Sequence, residues 1–344
     1  MRALVVRRYG PPENLEIQQA PDPQPRPGEA LIRVRAIGVN FADLLQRMGL
    51  YRVGPKPPFV PGMELAGVVE RMGDPAKSAE SAGFRVGDAV IGLMPSGAYA
   101  EWAVVPVKQI FRVPAGISFE DAAAIPVNYL TAYHAMFTLG NLQAGERMLV
   151  HGAAGGVGIA AIQLARQRGV ITFGTAGPTK QDFLRRLGVD HPIDYERSDF
   201  VEVVEKYAPS GIELALDPIG GKSFRRSFDC LGPDGRLMVY GFSAAAAPSG
   251  KKDFLLGAKA YFQTPRFHPL KLLEKGVGVI GVNLNALQQR PAVLRHELDE
   301  LFRMYAAGQI KPVIAKKFLL EQGADAHQYI HARKNVGKVI LALK

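Results

Sequence analysis

Residues 151 to 169, HGAAGGVGIAAIQLARQRG, place five glycines directly after the apolar run Met148-Leu149-Val150. Glycines at the end of a strand and the start of a helix let backbone N–H groups approach a pyrophosphate, and the helix N-terminus adds partial positive charge. The expected holders of such an anion are Gly155, Gly156, Val157 and Gly158. The match to G-x-G-x-x-G is imperfect, because Ala153 stands at the first glycine. A tight turn with close helix–sheet packing would use the same glycines, so the spacing alone leaves both readings open. Further along, the stretch Thr172 to Lys180 (TFGTAGPTK) holds no carboxylate, and none appears before Asp182. An NAD-type site sets an acidic residue there for the ribose 2′-hydroxyl, whereas Thr175 and Lys180 offer a hydroxyl and a cation. A 2′-phosphate attracts a lysine and is repelled by a carboxylate, so NADPH is expected over NADH. An exposed lysine at a helix start is the plainer reading of Lys180.

The elements that must position these groups follow from periodicity. From about 146 the chain alternates apolar β runs with amphipathic helices: RMLVH, GVGIAAIQLARQR, VITFGT, KQDFLRRLG, HPIDY, DFVEVVEKYA, IELALD, GKSFRRSFDCL and GRLMVYG. This pattern predicts a doubly wound parallel sheet, with VGVIGVN at 277 to 283 as a further strand. The first 125 residues are different, with short β runs at 3–6, 30–39, 65–72, 88–93 and 99–105 between Gly/Pro turns. Ser118-Phe119-Glu120-Asp121 reads as a capping box. Pro126 precedes a helical run from Asn128 to Leu139, stopped by Gly140, and a long helix is expected from about 286 to 307. The tail returns to β texture with FLL at 318–320 and KVILAL at 338–343. The expected domains are 1–125 with 284–344, mostly β, and 126–283, the nucleotide-type unit inserted between them.

Composition sets outer bounds. A chain of 344 residues with 47% hydrophobic and 22% charged residues fits a two-domain globular enzyme. No apolar stretch is long enough to span a bilayer and no secretory signal is read at the start, so the expected compartment is the cytoplasm. The single cysteine, Cys230, can form neither an internal disulfide nor a thiolate zinc site. A net charge of +10 attracts phosphorylated molecules, anionic lipid or nucleic acid, but no nucleic-acid motif accompanies it.

The chain resembles the medium-chain dehydrogenase/reductase superfamily, in particular its zinc-free quinone oxidoreductase branch and, within that, the VAT-1 type of synaptic vesicle membrane proteins. The resemblance is carried by GVNFADLLQRMGLY (38–51), PFVPGMELAGVVERMG (58–73), PVNYLTAYHAMFTLGNLQAGERMLVHGAAGGVG (126–158), HPIDY (191–195), LALDPIGG (214–221), GQIKPVIA (308–315) and KNVGKVIL (334–341). It implies an α/β protein in which a GroES-like, mostly β catalytic domain surrounds a Rossmann domain with a doubly wound parallel sheet. Zinc-dependent members carry a cysteine at Asn40, a histidine at Met63 and a further ligand near Asn128. An amide and a thioether are poor zinc ligands, so no metal is expected.

The resemblance further implies donors near the nicotinamide at Asn40, Asp43 and Tyr51, with Tyr51 the proton or hydrogen-bond donor. A tyrosine packing the loop before Pro55 and Pro57 is the competing reading. Cofactor positions implied in the same way are Thr131, Tyr195, Tyr240-Gly241-Phe242, Asn283, Arg333 and Asn335. Asp217 reads as a turn cap, and His134 and His151 as satisfied core residues.

The expected activity is metal-independent hydride transfer from NADPH to a quinone or α,β-unsaturated carbonyl, whose oxyanion is stabilised by conjugation and one or two donors. A homodimer through the strand at 277–283 is expected. Two alternatives stand beside it: an enoyl reductase acting on acyl thioesters, and a lipid-associated protein that keeps NADPH as a structural ligand. The segment 251–275, with Lys251, Lys252 and Lys259 among leucines and aromatics, offers the contact for anionic lipid.

Overall fold

In the computed structural model, residues 1–51, 54–73, 83–247, 249–250 and 253–343 are described. The alternating half of the chain forms a six-stranded sheet, with strands in the order His191–Asp194, Ile171–Ala176, Arg147–Val150, Ile212–Asp217, Leu231–Val239 and Gly278–Gly281. Every pairing is parallel, with Met148, Leu149 and Val150 opposite Leu214, Ala215 and Leu216. These six residues are fully buried, which is why the strands read as continuous apolar runs rather than alternating ones. Between Arg147–Val150 and Ile212–Asp217 the winding reverses direction, and the carboxyl ends of strands at such a point form the ligand crevice of open α/β sheets.

The second sheet has seven strands drawn from both ends of the chain. Its path runs Ile314–Leu319, Lys338–Ala342, Glu29–Val39, Glu64–Met72, Ala89–Leu93 and Ile110–Arg112, and Trp102–Pro106 also pairs with Glu29–Val39. Val339 pairs with Val39 across the antiparallel join, so the last strand of the protein completes a sheet begun in its first forty residues. A separate hairpin joins Arg2–Val6 to Leu15–Gln19.

One helical expectation is met and two change in detail. Ser118 does cap the helix Phe119–Ala124, its hydroxyl accepting the Asp121 N–H at 3.1 Å. The run from Asn128 to Leu139 is a helix from Pro126 to Tyr133 that widens into a π-helical turn at His134–Leu139. The long helix over 286–307 is two helices, Leu284–Leu287 and Pro291–Ala306, because Pro291 cannot donate into a preceding turn and takes the first-turn position of a new one. Leu294, Leu298, Leu301 and Phe302 of that second helix share an apolar cluster with Ala161, Ile162 and Leu164 on Gly156–Gln167 and with Ala36 and Ile340 of the other sheet. Packing therefore runs without a break across the boundary expected at 284.

Candidate active site

The glycine turn lies at the carboxyl end of Arg147–Val150. Gly155 is the N-cap of the helix Gly156–Gln167, and Gly152 has φ +65° with no atom within 4 Å of where a Cβ would stand. A Cβ on Gly156 would lie 2.3 Å from the Asn128 amide nitrogen, and one on Gly158 would lie 2.4 Å from the Gly152 carbonyl oxygen. Both uses of the glycines are thus present: close packing at Gly158, and bare backbone at Gly152 and the helix N-terminus, the geometry that suits a diphosphate. Across from the turn, Gly337 donates its N–H to the Ala154 carbonyl at 2.9 Å. A narrow crevice there is lined by Asn128, Gly156, Ile159, Gly337 and Lys338.

At the end of Ile171–Ala176 the structure gathers four of the expected cofactor residues. The Lys180 ammonium donates to the Asn335 carbonyl at 2.8 Å, and the Asn335 amide donates to the Gly337 carbonyl at 3.1 Å. Burial, and then the Arg333 guanidinium nearby, pull the Lys180 pKa below its ordinary value. Arg333 itself sits at φ +54°, and among the described residues no carboxylate pairs with either cation. Two cations without a carboxylate partner make this region electropositive. The Tyr195 ring, 45% exposed, stands beside Gly177 at the rim.

Other expected residues are committed elsewhere. Thr175 is buried and hydrogen-bonds His151 Nδ1 at 3.1 Å. Thr131 gives its hydroxyl proton to the Val127 carbonyl of its own helix at 2.6 Å. Asn283 is a helix cap: its carbonyl oxygen accepts the Asn285 N–H at 2.9 Å. Tyr240, Gly241 and Phe242 follow Leu231–Val239 at the carboxyl edge. Burial raises the Tyr240 phenol, and Gly241 abuts Pro218 so closely that a Cβ would come within 2.8 Å of its carbonyl oxygen.

In the other lobe, Asn40 and Asp43 open the helix Phe41–Met48. The Asn40 side chain, expected as a donor near the nicotinamide, is engaged within the protein. Its amide hydrogens go to the Gly38 carbonyl at 3.2 Å and to Glu64 Oε1 at 2.9 Å, while its oxygen accepts from Lys338 Nζ at 2.6 Å. Glu64 also accepts the Val127 N–H at 2.7 Å and pairs with Lys338, both side chains almost fully buried. Asn40 is therefore part of a buried lysine–glutamate framework, with no amide hydrogen left to offer.

Asp43 is fully buried. Its Oδ2 accepts the Asn40 N–H at 2.8 Å and the Tyr99 hydroxyl at 3.1 Å, and its Oδ1 has no partner. Burial pushes its pKa up to about 7 against the opposing pull of those hydrogen bonds and of Lys338. Tyr51 is half-buried, and its oxygen lies 3.5 Å from the Asn285 amide nitrogen. With Asn285 as donor, the Tyr51 proton stays free for a ligand. Burial and then the Asp43 charge raise its phenol.

Arg47, Glu64, Tyr99, His327 and Lys338 were not foreseen as site residues. A signal for three of them exists in the sequence: a charge set inside an apolar run, as in LLQRM, MELAGVV and KVILAL, is placed where only a partner makes burial tolerable. Nothing local marks Tyr99 or His327, which meet across 228 residues.

At the positions where zinc-dependent relatives carry ligands, Asn40 is spent as described, Met63 is buried at 5% exposure, and the Asn128 amide lies against Gly156. Among the described residues no group of three or more His, Cys, Asp or Glu side chains could hold a metal ion. The donor set does not fit zinc.

Two family models match the chain. Residues 26–115 match the alcohol dehydrogenase GroES-like domain, and residues 187–341 match the zinc-binding dehydrogenase family. The synaptic vesicle membrane protein VAT-1 homolog of Danio rerio is 40% identical over 342 residues, 99% of this chain and 69% of that protein. The chain belongs to the medium-chain dehydrogenase/reductase superfamily. Human quinone oxidoreductase is 32% identical, covering 100% of this chain and 98% of its own. The structure of Escherichia coli quinone oxidoreductase complexed with NADPH superposes with a TM-score of 0.87 at 28% identity, covering 100% of both chains. Like these relatives, the protein combines a GroES-like domain with a parallel-sheet Rossmann-like domain.

Proposed function

We propose that this medium-chain reductase binds NADPH and transfers hydride, without a metal, to a quinone or an α,β-unsaturated carbonyl. The observation that carries the reading is the pair Lys180 and Arg333, two cations without a carboxylate at the end of the second parallel strand, beside a glycine turn with bare backbone. Bound there, the nicotinamide would supply the hydride. The chain's own residues then have defined work: Gly155 to Gly158 hold the diphosphate, Lys180 and Arg333 the 2′-phosphate, and the free Tyr51 proton meets the oxygen on which charge develops. A conjugated oxyanion needs no Lewis acid, consistent with the poor metal donor set at Asn40 and Met63. The quinone oxidoreductases among the relatives support the substrate class.

The same reading assigns 1–125 with 284–344 to the catalytic domain and 126–283 to the nucleotide domain. It places the protein in the cytoplasm as a homodimer through the outer edge of Gly278–Gly281, an edge strand that pairs only inward. The test is thermal stabilisation by NADPH against NADH, followed by loss of reduced-nicotinamide absorbance with a panel of quinones, enones and acyl thioesters. NADPH should stabilise more, and Lys180→Ala should cut the NADPH preference about tenfold. Equal stabilisation by both cofactors sinks the 2′-phosphate site, and turnover confined to acyl thioesters moves the substrate to that class.

One observation favours a second reading, association with a lipid surface. The helices Phe254–Phe262 and Pro269–Lys275 expose Phe254, Leu255, Tyr261, Phe262, Leu270 and Leu273, with Leu255 at 84%. Lys251 and Lys252, expected at the same contact, lie outside the described residues. No helix of the described residues is long and apolar enough to cross a membrane, so the contact would be peripheral. Salt-sensitive sedimentation with anionic vesicles, lost in Lys259→Glu with Leu255→Ser, is the expected outcome for this reading.

A further inference from the structure

We infer that Asp43 carries a proton on Oδ1, which keeps a negative charge away from Tyr51, and that Arg47, His327 and Tyr99 are the positioning residues that leave this oxygen, and not Oδ2, to hold it. The inference rests on the Tyr51 role given above.

Arg47 can only donate. Its Nε–H goes to His327 Nδ1 at 3.2 Å, so that nitrogen is an acceptor and the ring proton sits on Nε2. His327 Nε2 lies 3.1 Å from the Tyr99 oxygen and donates to it. The single Tyr99 proton is then left for Asp43 Oδ2, 3.1 Å away. Every bond in the chain points the same way, and all four side chains are fully buried. Oδ2, already holding the Asn40 N–H, is saturated with two donors, and Oδ1 is bare. A bare carboxylate oxygen away from water is costly, whereas a proton on it removes the charge.

The charged and titratable groups around Asp43 act in both directions. Lys338 on the last strand favours the carboxylate and Glu64 on Glu64–Met72 opposes it. Tyr51 and Tyr99 are both raised, and so remain protonated donors. His327 and His331, on Gly323–His331, are held neutral by burial and by the Arg47 cation, so neither adds positive charge toward Asp43. Desolvation dominates, consistent with a carboxyl pushed up to about 7.

The proton balance is complete. Carbon gains the hydride, the substrate oxygen takes the Tyr51 proton, and the half-buried Tyr51 regains one from water. One hydride and one proton are consumed per turnover.

The experiment is 13C NMR of full-length protein labelled at the aspartate carboxyl carbon, saturated with NADPH, and titrated from about pH 5 to about pH 9. One protonated carboxyl should titrate near neutrality, be missing from Asp43→Asn, and move up by about one unit in Tyr99→Phe, which loses a bond to the charged form. In His327→Gln the amide can accept from Arg47 and donate to Tyr99, so the titration should stay within about half a unit of wild type. The pH profile of kcat/KM with a quinone should carry the same inflection and the same Tyr99→Phe shift. An Asp43 ionised throughout the range, or a titration unmoved in Tyr99→Phe, overturns the inference. If Tyr99→Phe fails to fold, wild type against Asp43→Asn still decides. A normal titration with no turnover of any quinone or enone defeats the functional reading and supports the placement of the proton.

Discussion

Two buried histidines, one in each lobe, sit in hydrogen-bond chains that run in the same sense, through the imidazole and a hydroxyl to an aspartate, and differ in how the ends are satisfied. In the nucleotide lobe the chain ends on Asp217, which accepts from Ser223 and Ser227 at 2.7 Å each and from the Ile219 N–H at 2.7 Å. Because Ser227 gives its proton to Asp217, its oxygen accepts from His151 Nε2 at 2.9 Å, and Nδ1 accepts from Thr175. Both carboxylate oxygens are occupied and nothing is left over. In the catalytic lobe the chain starts on a cation, Arg47, and ends on a carboxyl with one bare oxygen. A satisfied network rigidifies its surroundings, here the ends of three parallel strands, while an unsatisfied one stores a demand that chemistry can use. The contrast separates scaffold from candidate chemistry more sharply than burial does, since both chains are equally buried.

The largest expected effect breaks the scaffold chain. Asp217→Ala strands two hydroxyls, a backbone N–H and, behind them, His151, and should cost about 3–5 kcal/mol in urea unfolding, like other buried polar networks deprived of one partner. Its counterpart, Asp43→Asn, removes a charge that was poorly solvated, so at about pH 8 stability should change by no more than about 1 kcal/mol in either direction while the pH inflection of turnover disappears. Equal losses from the two variants would erase the distinction drawn here.

Acid sensitivity sharpens it further. His331 is pulled down to about 4 by burial and then by Arg47, which donates to its Nε2 at 2.7 Å. The unfolded chain therefore binds more protons between its ordinary value near 6.5 and about 4, and this group loses stability as pH falls through that window. Asp43, raised from 3.8 to about 7, works oppositely: the folded chain binds more protons, and stability falls as pH rises from 3.8 to about 7. His331→Gln should flatten the acid-side slope by about 1–2 kcal/mol across that window, and Asp43→Asn should steepen it, as read by urea midpoints at matched ionic strength.

Much of the nucleotide lobe could be read from residues 146 to 239, because parallel strands buried on both faces and helices with one apolar face leave strong local periods. The glycine turn was legible for the same reason, whereas Lys180 stood out only by the lack of a carboxylate before Asp182, and its bonded neighbour Asn335 lies 155 residues away. Tyr51 was legible only through family likeness. Helix ends were read less well where a proline acts through the turn before it, as at Pro291. Asn40, whose type suits a donor, has its amide hydrogens engaged inside the protein. What spends its hydrogens, Glu64 and Lys338, lies 24 and 298 residues away.

By itself, then, the sequence determined which segments are strands and helices, that a bare-backbone turn opens the first βα crossover, and that no thiolate set is present for zinc. Those properties follow from short-range pattern and side-chain chemistry. Tertiary structure alone decided which polar groups are satisfied. Lys338 meets Glu64 only because the last strand pairs with Glu29–Val39, and His327 meets Tyr99 and Arg47 only because the C-terminal helix packs on the N-terminal lobe. A hydrogen-bond ledger is a property of contacts between distant segments, and it is that ledger which leaves one oxygen of Asp43 without a partner.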